Sequence, residues 1–228
     1  MINKFVASPQ EAISGIADGS TLFVGGFGHV GVPYCLIDAL IESGATDLTV
    51  VANNAGVGET GLGAMFKEGR IRRIVCSYPR STGSVWFERR FEAGEVELEV
   101  VPQGTLTERI RAGGAGIGGF YTTTAVGTEL AHGKETRVFE GRVHLLEEAL
   151  RADAALIAAD QGDRWGNLTY SATARNYGPT MAAAATLTVV EVRREAPLGD
   201  LDPETVVTPG IFVDRVVVTG GREVTVQS

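Results

Sequence analysis

The chain reads as an α/β protein built on a mostly parallel sheet with helices on both faces. Three observations predict this. Through the first half, short apolar strands, glycine or asparagine turns and helical stretches recur about every 25 residues, the alternation that builds parallel sheets. The 228 residues are 44% hydrophobic and 21% charged, an ordinary globular balance. No internal repeat, low-complexity tract or linker interrupts them, which points to one domain over residues 1–228.

Each element has its own signal. Ser8-Pro9-Gln10-Glu11 is a capping box, with Ser8 as N-cap, Pro9 in the first turn and Glu11 at the third helical position. It should start a helix with Ala12, Ile13, Ile16 and Ala17 on one side. Thr21–Val24 is a β-branched, apolar strand, and Gly25, Gly26, Gly28 and Gly31 open the backbone behind it. Pro33 suits a first helical turn, Leu36, Ile37, Leu40 and Ile41 follow at helical spacing, and Gly44 is a stop. Leu48–Ala52 is a second strand, closed by the polar turn Asn53-Asn54-Ala55-Gly56. A short helix over Leu62–Lys67 ends at Gly69, Ile71–Cys76 is a third strand, and a helix over Ser84–Ala93 ends at Gly94. In the fourth strand, Glu97–Val101, Glu97 and Glu99 alternate with Leu98 and Val100, which predicts one exposed face. Pro102-Gln103-Gly104-Thr105 reads as a turn and Leu106–Arg111 as a helix.

The second half is less regular. Five glycines in the seven residues from Gly113 to Gly119 predict an irregular loop, either a connector or a place of close approach to a ligand. Val143–Leu150, Ala154–Ala158 and Leu187–Val192 read as buried or half-buried segments, Gly162–Asn167 as a turn, and Val206–Val218 as strand-like around Pro209-Gly210.

Parallel sheets collect ligands at the carboxyl ends of their strands. Gly25–Gly31, Asn53-Asn54, Ser77–Arg80 and Gln103 all fall at that edge, so one site can draw on all four. A strand, a glycine turn and a helix start together also favour an anion, through converging N–H groups and the helix dipole. Gly26, Gly28 and Gly31 spell G-x-G-x-x-G, the nicotinamide-nucleotide fingerprint. That fold wants an acid at the end of the second strand, where Asn53-Asn54 stands instead; Asp47 lies at the wrong end. The dinucleotide reading therefore loses most of its weight and stays only as a rival.

A formal charge of −8 argues against nucleic acid as a partner. An anionic substrate then needs a local cationic patch or backbone dipoles; Arg70, Arg72, Arg73 and Arg80 are the candidates, or simply a solvated surface. No apolar run approaches the ~20 residues of a membrane span, and the start, Met1–Phe5, has no secretory character. Cys35 and Cys76 lack metal or redox spacing and read as two buried thiols in a reducing cytoplasm. His132 and His144 show no ligand spacing, and no metal is expected.

The stretch Asp18–Pro33, with its Asp-Gly, three apolar residues, Gly-Gly-Phe, Gly and Pro at fixed spacing, resembles the first signature of the type I (3-oxoacid) coenzyme A-transferases. The resemblance to their small (A) subunit runs on through Asn53–Gly56, Pro102–Leu106, Glu108–Gly114, Phe120–Thr122, Gly127-Thr128 and Gly133–Glu135. It continues through Gly166–Leu168, Ala174-Arg175-Asn176-Tyr177 and Thr208–Val213. Thr123 and Ala125 depart from it, where relatives carry Pro and Gly, and should stiffen or reshape the exit of the glycine loop. Met1–Lys4, Cys76–Arg80, Gly116–Phe120 and Gly162–Asn167 look most like the branch that passes CoA from succinyl-CoA to 3-oxoadipate in aromatic-acid breakdown, the beta-ketoadipate pathway. The alternatives are the branch serving acetoacetate and a non-catalytic CoA-binding subunit.

The resemblance implies a CoA-transferase-like open α/β fold, CoA as substrate with no tightly bound cofactor, and covalent catalysis by a glutamate. The family's nucleophile lies in a Ser-Glu-Asn-Gly-type motif on a second (B) subunit. No such motif occurs in this chain, so the expected assembly is a cytoplasmic A2B2 hetero-oligomer. The resemblance also assigns CoA contact to Gly25, Gly26, Phe27, Gly28, His29, Val30 and Gly31, and places Gln103 beside the reacting carboxylate. His29 occupies a variable position, which argues against a side-chain role. Asn53, Asn54 and Arg80 are the substrate candidates; Arg80 would supply the extra cation that a dicarboxylate acceptor needs. Glu59, among glycines at Gly56–Gly61, is the rival nucleophile, although an acid in a helix's first turn explains it too.

Overall fold

Alternation along the strands decides the fold. In β1 (Thr21–Val24), Leu22 and Val24 enter one core and Phe23 enters another on the opposite face. Sheet geometry sends successive side chains to opposite sides, so a strand apolar on both must be covered on both. The computed structural model describes residues 2–221. Met1, which opens the match at Met1–Lys4, lies outside them, as do residues 222–228 of the domain expected over 1–228.

The chain opens with α1 (Pro9–Ala12), then β1, α2 (Tyr34–Ser43), β2 (Leu48–Asn54), α3 (Leu62–Lys67) and β3 (Ile71–Tyr78). Helix α4 (Val85–Glu92), β4 (Glu97–Val100) and α5 (Gln103–Gly114) complete the first half. Strands β5 (Gly119–Thr122), β6 (Thr136–Phe139) and β7 (Arg142–Glu148) make a separate antiparallel sheet in the order β5-β7-β6. The chain then returns through β8 (Ala152–Gly162), β9 (Leu168–Thr169), α6 (Gly178–Ala184), β10 (Ala185–Glu195) and β11 (Arg215–Val218). The main sheet runs β11-β10-β8-β1-β2-β3-β4 with every pairing parallel; β9 adds to β8 antiparallel. Residues of α1 to α4 pack with Leu22, Val50 and Ile74 on one face, and those of α5 and α6 pack with Phe23, Val51 and Val75 on the other.

Several elements differ from the sequence reading. Ser8 caps α1 by accepting from Glu11 N at 3.1 Å, and Glu11 Oε2 accepts from Ala7 N at 2.9 Å. The helix nevertheless stops at Ala12, because Gly15 turns the chain at φ 92°, and Ile16 packs on the core from a loop. Strands β2 and β3 run past their apolar runs to Asn54 and Tyr78, since each ladder continues as long as its neighbour does. The predicted alternation of β4 fails: Val100 is exposed and Glu99 half-buried, because β4 is an edge strand and arginines claim Glu99.

Gln103 is the first residue of α5 rather than part of a turn, with Pro102 extended just before it. The glycine run is not one loop: Gly113 and Gly114 finish α5, and Gly119 starts β5. Gly113 is needed by packing, since a Cβ there would lie 1.9 Å from Leu150 O. Of Val206–Val218, only Arg215–Val218 is a strand. Cys76 is buried as expected, but Cys35 is only half-buried.

Candidate active site

The loop after β1 is a tight hairpin. Phe27 and Val30 exchange both backbone hydrogen bonds at 3.0 Å across Gly28 and His29. Its tip leaves Phe27 53% and Val30 46% exposed, while His29 Nδ1 meets Tyr34 OH at 3.0 Å. The base of the hairpin is held from far away in sequence: Gly26 N donates to Asn176 Oδ1 at 3.0 Å.

Beside it, at the end of β2, Asn53 is 4% exposed. Its Oδ1 accepts from Gln103 Nε2 at 2.7 Å, Ser77 Oγ at 3.2 Å and Tyr177 OH at 3.3 Å. Three donors on one oxygen fix the side chain and leave the Nδ2 group free to donate among the described residues. Burial pushes the Tyr177 phenol up, against hydrogen bonds from Thr107, Ser77 and Gln103, so it stays a neutral donor. Asn54 turns the other way and accepts from Gly56 N at 2.9 Å, shaping the next loop.

A cleft runs between the hairpin, the end of β2 and the loop Gly56–Leu62. Gly25, Gly26, Gly28, His29, Asn53 and Asn54 line it. The described lining contains no carboxylate and no Lys or Arg. On the hairpin's other flank a wider cleft of about 610 Å³ opens toward the ends of β8 and β10.

The structure brings the candidates together unevenly. Asn53 and the hairpin line the first cleft, and Gln103, outside the lining of both clefts, joins them through its hydrogen bond to Asn53. Arg80 lies exposed, two residues past the end of β3, outside both clefts and without a hydrogen bond or ion pair among the described residues. Glu59 lies outside the cleft as well. It is exposed and bonded to Lys67 at 2.8 Å, and that hydrogen bond, then the Lys67 charge, hold its carboxyl below the ordinary value. It also precedes Gly61, the N-cap of α3, so the first-turn explanation does not hold. Arg70, Arg72 and Arg73 stand at the start of β3, the edge away from the clefts. They bind Ile41 O and Gly44 O, Asp47 and Glu97, and Glu99 respectively.

The expected anion site at the start of α2 is taken. Pro33 offers no side-chain cap, and Leu36 N donates at 3.0 Å to Oε2 of Glu191, a buried carboxylate from β10. A carboxylate at a helix N-terminus neutralises the dipole that would otherwise attract a ligand. Sequence reasoning placed Ser77 at this edge only as part of Ser77–Arg80, and missed Glu191 and Tyr177. Of those two, Tyr177 carried a signal, the quoted Ala174-Arg175-Asn176-Tyr177 segment.

The parallel sheet, the glycine hairpin and the Asn53–Gln103 pair at one edge fit the coenzyme A-transferases that the sequence resembles. The Coenzyme A transferase family model matches residues 6–219, and the chain belongs to that family. More particularly, it is 56% identical over 221 residues to the A subunit of the 3-oxoadipate CoA-transferase of Pseudomonas putida, covering 97% of this chain and 96% of that one. It is 49% identical to the A subunit of the succinyl-CoA:3-ketoacid coenzyme A transferase of Xanthomonas campestris pv. campestris, covering 96% and 90%. In fold it is similar to an acyl-CoA transferase of E. coli O157:H7, solved as a thioester complex with CoA, with a TM-score of 0.84 and 22% identity. That match covers 97% of this chain and 48% of the other, so this chain spans about half its length.

Proposed function

We propose that this chain is the A half of a two-chain enzyme that moves CoA from succinyl-CoA to 3-oxoadipate. One observation carries the reading: Asn53, whose Oδ1 accepts from Gln103, lines a cleft together with the glycine hairpin, and the described lining of that cleft holds no carboxylate. Carboxamides donate to an anion without competing as bases, so the site suits a reacting carboxylate and its oxyanion. The nucleophile then comes from a B subunit, in a hetero-oligomer of A2B2 composition working in the cytoplasm.

The steps balance without a metal or redox group. The B subunit's glutamate carboxylate attacks the succinyl thioester, giving a mixed anhydride and CoA thiolate. The thiolate attacks the glutamyl carbonyl, releasing succinate and leaving a glutamyl thioester. The 3-oxoadipate carboxylate attacks that thioester, and the returning thiolate resolves the second anhydride into product and free glutamate. Through each tetrahedral state Gln103 donates from its amide, held by Asn53, while the backbone N–H groups of Gly28, His29 and Gly31, which have no partner among the described residues, are left for the CoA end. CoA enters and leaves as substrate. Arg80, unpaired among the described residues and on the same edge, meets the second carboxylate of the acceptor.

The acceptor is supported by the identities: 56% to the A subunit of a 3-oxoadipate enzyme, compared with 49% to that of a 3-ketoacid enzyme. The test is succinyl-CoA:3-oxoadipate transfer by this chain alone and then mixed with a B subunit. Transfer only on mixing is expected. Transfer by the chain alone would sink the reading and point to Glu59. Preference for acetoacetate would move the acceptor, and binding of CoA without turnover on mixing would leave a non-catalytic subunit.

A further inference from the structure

Two neighbouring residues from the second half of the chain touch both parts of the site. Asn176 Oδ1 accepts from Gly26 N at 3.0 Å and from Tyr177 N at 2.7 Å. Its Nδ2 donates to Val30 O at 3.3 Å and Ala174 O at 2.9 Å. The carboxamide thus ties the base of the hairpin to its far arm. Tyr177, 6% exposed, sends its hydroxyl the other way, to the oxygen of Asn53 that also holds Gln103.

Two further observations show that this segment is built to fit the hairpin. A Cβ on Gly31 would lie 2.4 Å from Ala174 O and 2.5 Å from Asn176 Nδ2, so the two strands of chain touch with no room between them. Asn176 also adopts φ 26°, ψ −119°, and Ala172 adopts φ 46°. Backbone in such regions persists only where surrounding contacts over-determine it. These are two of the five non-glycine residues with positive φ in the described chain, within five positions of each other.

We propose that Asn176 and Tyr177 form one positioning unit. Asn176 holds the glycine hairpin and Tyr177 holds the Asn53–Gln103 pair, so a single peptide link sets the spacing between the CoA end and the carboxylate end of the site. The proposal rests on the transferase reading above. Neither residue touches substrate; both act through groups that do.

The test uses the two-chain complex. Asn176→Gly keeps that backbone conformation accessible and removes the carboxamide together with its methylene. It should raise KM for succinyl-CoA about tenfold and speed hydrogen exchange at Gly26 N–H by a similar factor, the scale of one lost hydrogen bond. Tyr177→Phe removes only the hydroxyl; it should lower kcat about fivefold with KM for succinyl-CoA within about twofold of the parent. In a Gln103→Ala background Tyr177→Phe should add no further loss, because the hydroxyl works through that amide. Wild-type KM and exchange in Asn176→Gly, or unchanged kcat in Tyr177→Phe, would overturn the proposal. Losses that merely track a falling Tm would overturn it as well. If the parent complex transfers no CoA, the transferase reading fails by itself, and exchange at Gly26 still decides the clamp: faster in Asn176→Gly supports it, unchanged refutes it.

Discussion

Arg109 is where the fold is most exposed to a single change. Its side chain is 11% exposed on α5; its Nη1 meets Glu99 at 2.7 Å and its Nε donates to Glu148 O at 2.7 Å. Glu147, with a side chain 2% exposed, lies 3.9 Å from the same guanidinium and takes its other cation from Lys134. The guanidinium therefore joins the main sheet at β4 to the small sheet at β7. Arg109→Met keeps most of the apolar stem and removes the charge. Glu147 would then be a buried carboxylate with one cation in place of two, and Glu148 O would lose its donor. Breaking a buried pair from one side costs about 3–5 kcal/mol, well above the ~1 kcal/mol of a surface pair. Taking the lower figure, Tm should fall by about 6–12 °C for a chain of this size. Thermal unfolding followed by far-UV circular dichroism measures it. The double change Arg109→Met with Glu147→Met should cost less than the sum of the two singles, because both groups belong to one buried network. A single-variant loss under about 1 kcal/mol, or a double variant that costs the sum of the singles, would refute the reasoning.

Other expectations follow from single groups. Burial would raise the Glu99 carboxyl, but hydrogen bonds and charge from Arg109, then Arg73, overrule it and hold it below the ordinary 4.5. A depressed folded-state pKa contributes stability above 4.5 and loses it as pH falls through the folded value, so Glu99→Gln should flatten the acid limb of a Tm–pH curve below about pH 4.5. Burial pushes the Cys76 thiol up to about 12, so a thiol reagent at pH 8 should modify it only after denaturation. Ala125 sits at φ 68°, where glycine is at home; Ala125→Gly should stabilise by about 0.5–1 kcal/mol in urea unfolding, and a loss would count against strain there.

The sheet was legible because its strands are short apolar runs, and α2, α3 and α4 because glycines at φ 84°, 64° and 72° close them within a residue or two of the expected ends. The small sheet was not. Every residue of β6 is exposed, so it lacks the alternation that burial imposes on a sequence. Gln103 and the glycine hairpin were readable through a local motif. Their supports were not, because the hydrogen bonds from Gly26 N to Asn176 and from Tyr177 to Asn53 span 150 and 124 residues, and spacing carries no trace of them. The same holds for the anion site expected at α2. Pro33 marks a helix start with no cap of its own, and the carboxylate that fills it arrives from 155 residues away.

The strand order places β1 at the centre of the sheet, although it is made first. One of its edges is covered early, by β2, whose Val50 faces Leu22. The other edge waits for β8, where Ala154 faces Leu22, 132 positions later. At about 5–20 residues per second, a ribosome takes roughly 7–26 seconds to supply that partner. Throughout that interval the growing chain carries an open, apolar edge at Leu22–Val24, and a neighbouring nascent strand can pair with it in the interim. Synthesis of this protein therefore has a window of vulnerability at its oldest strand, closed only when the second half of the chain comes back to it.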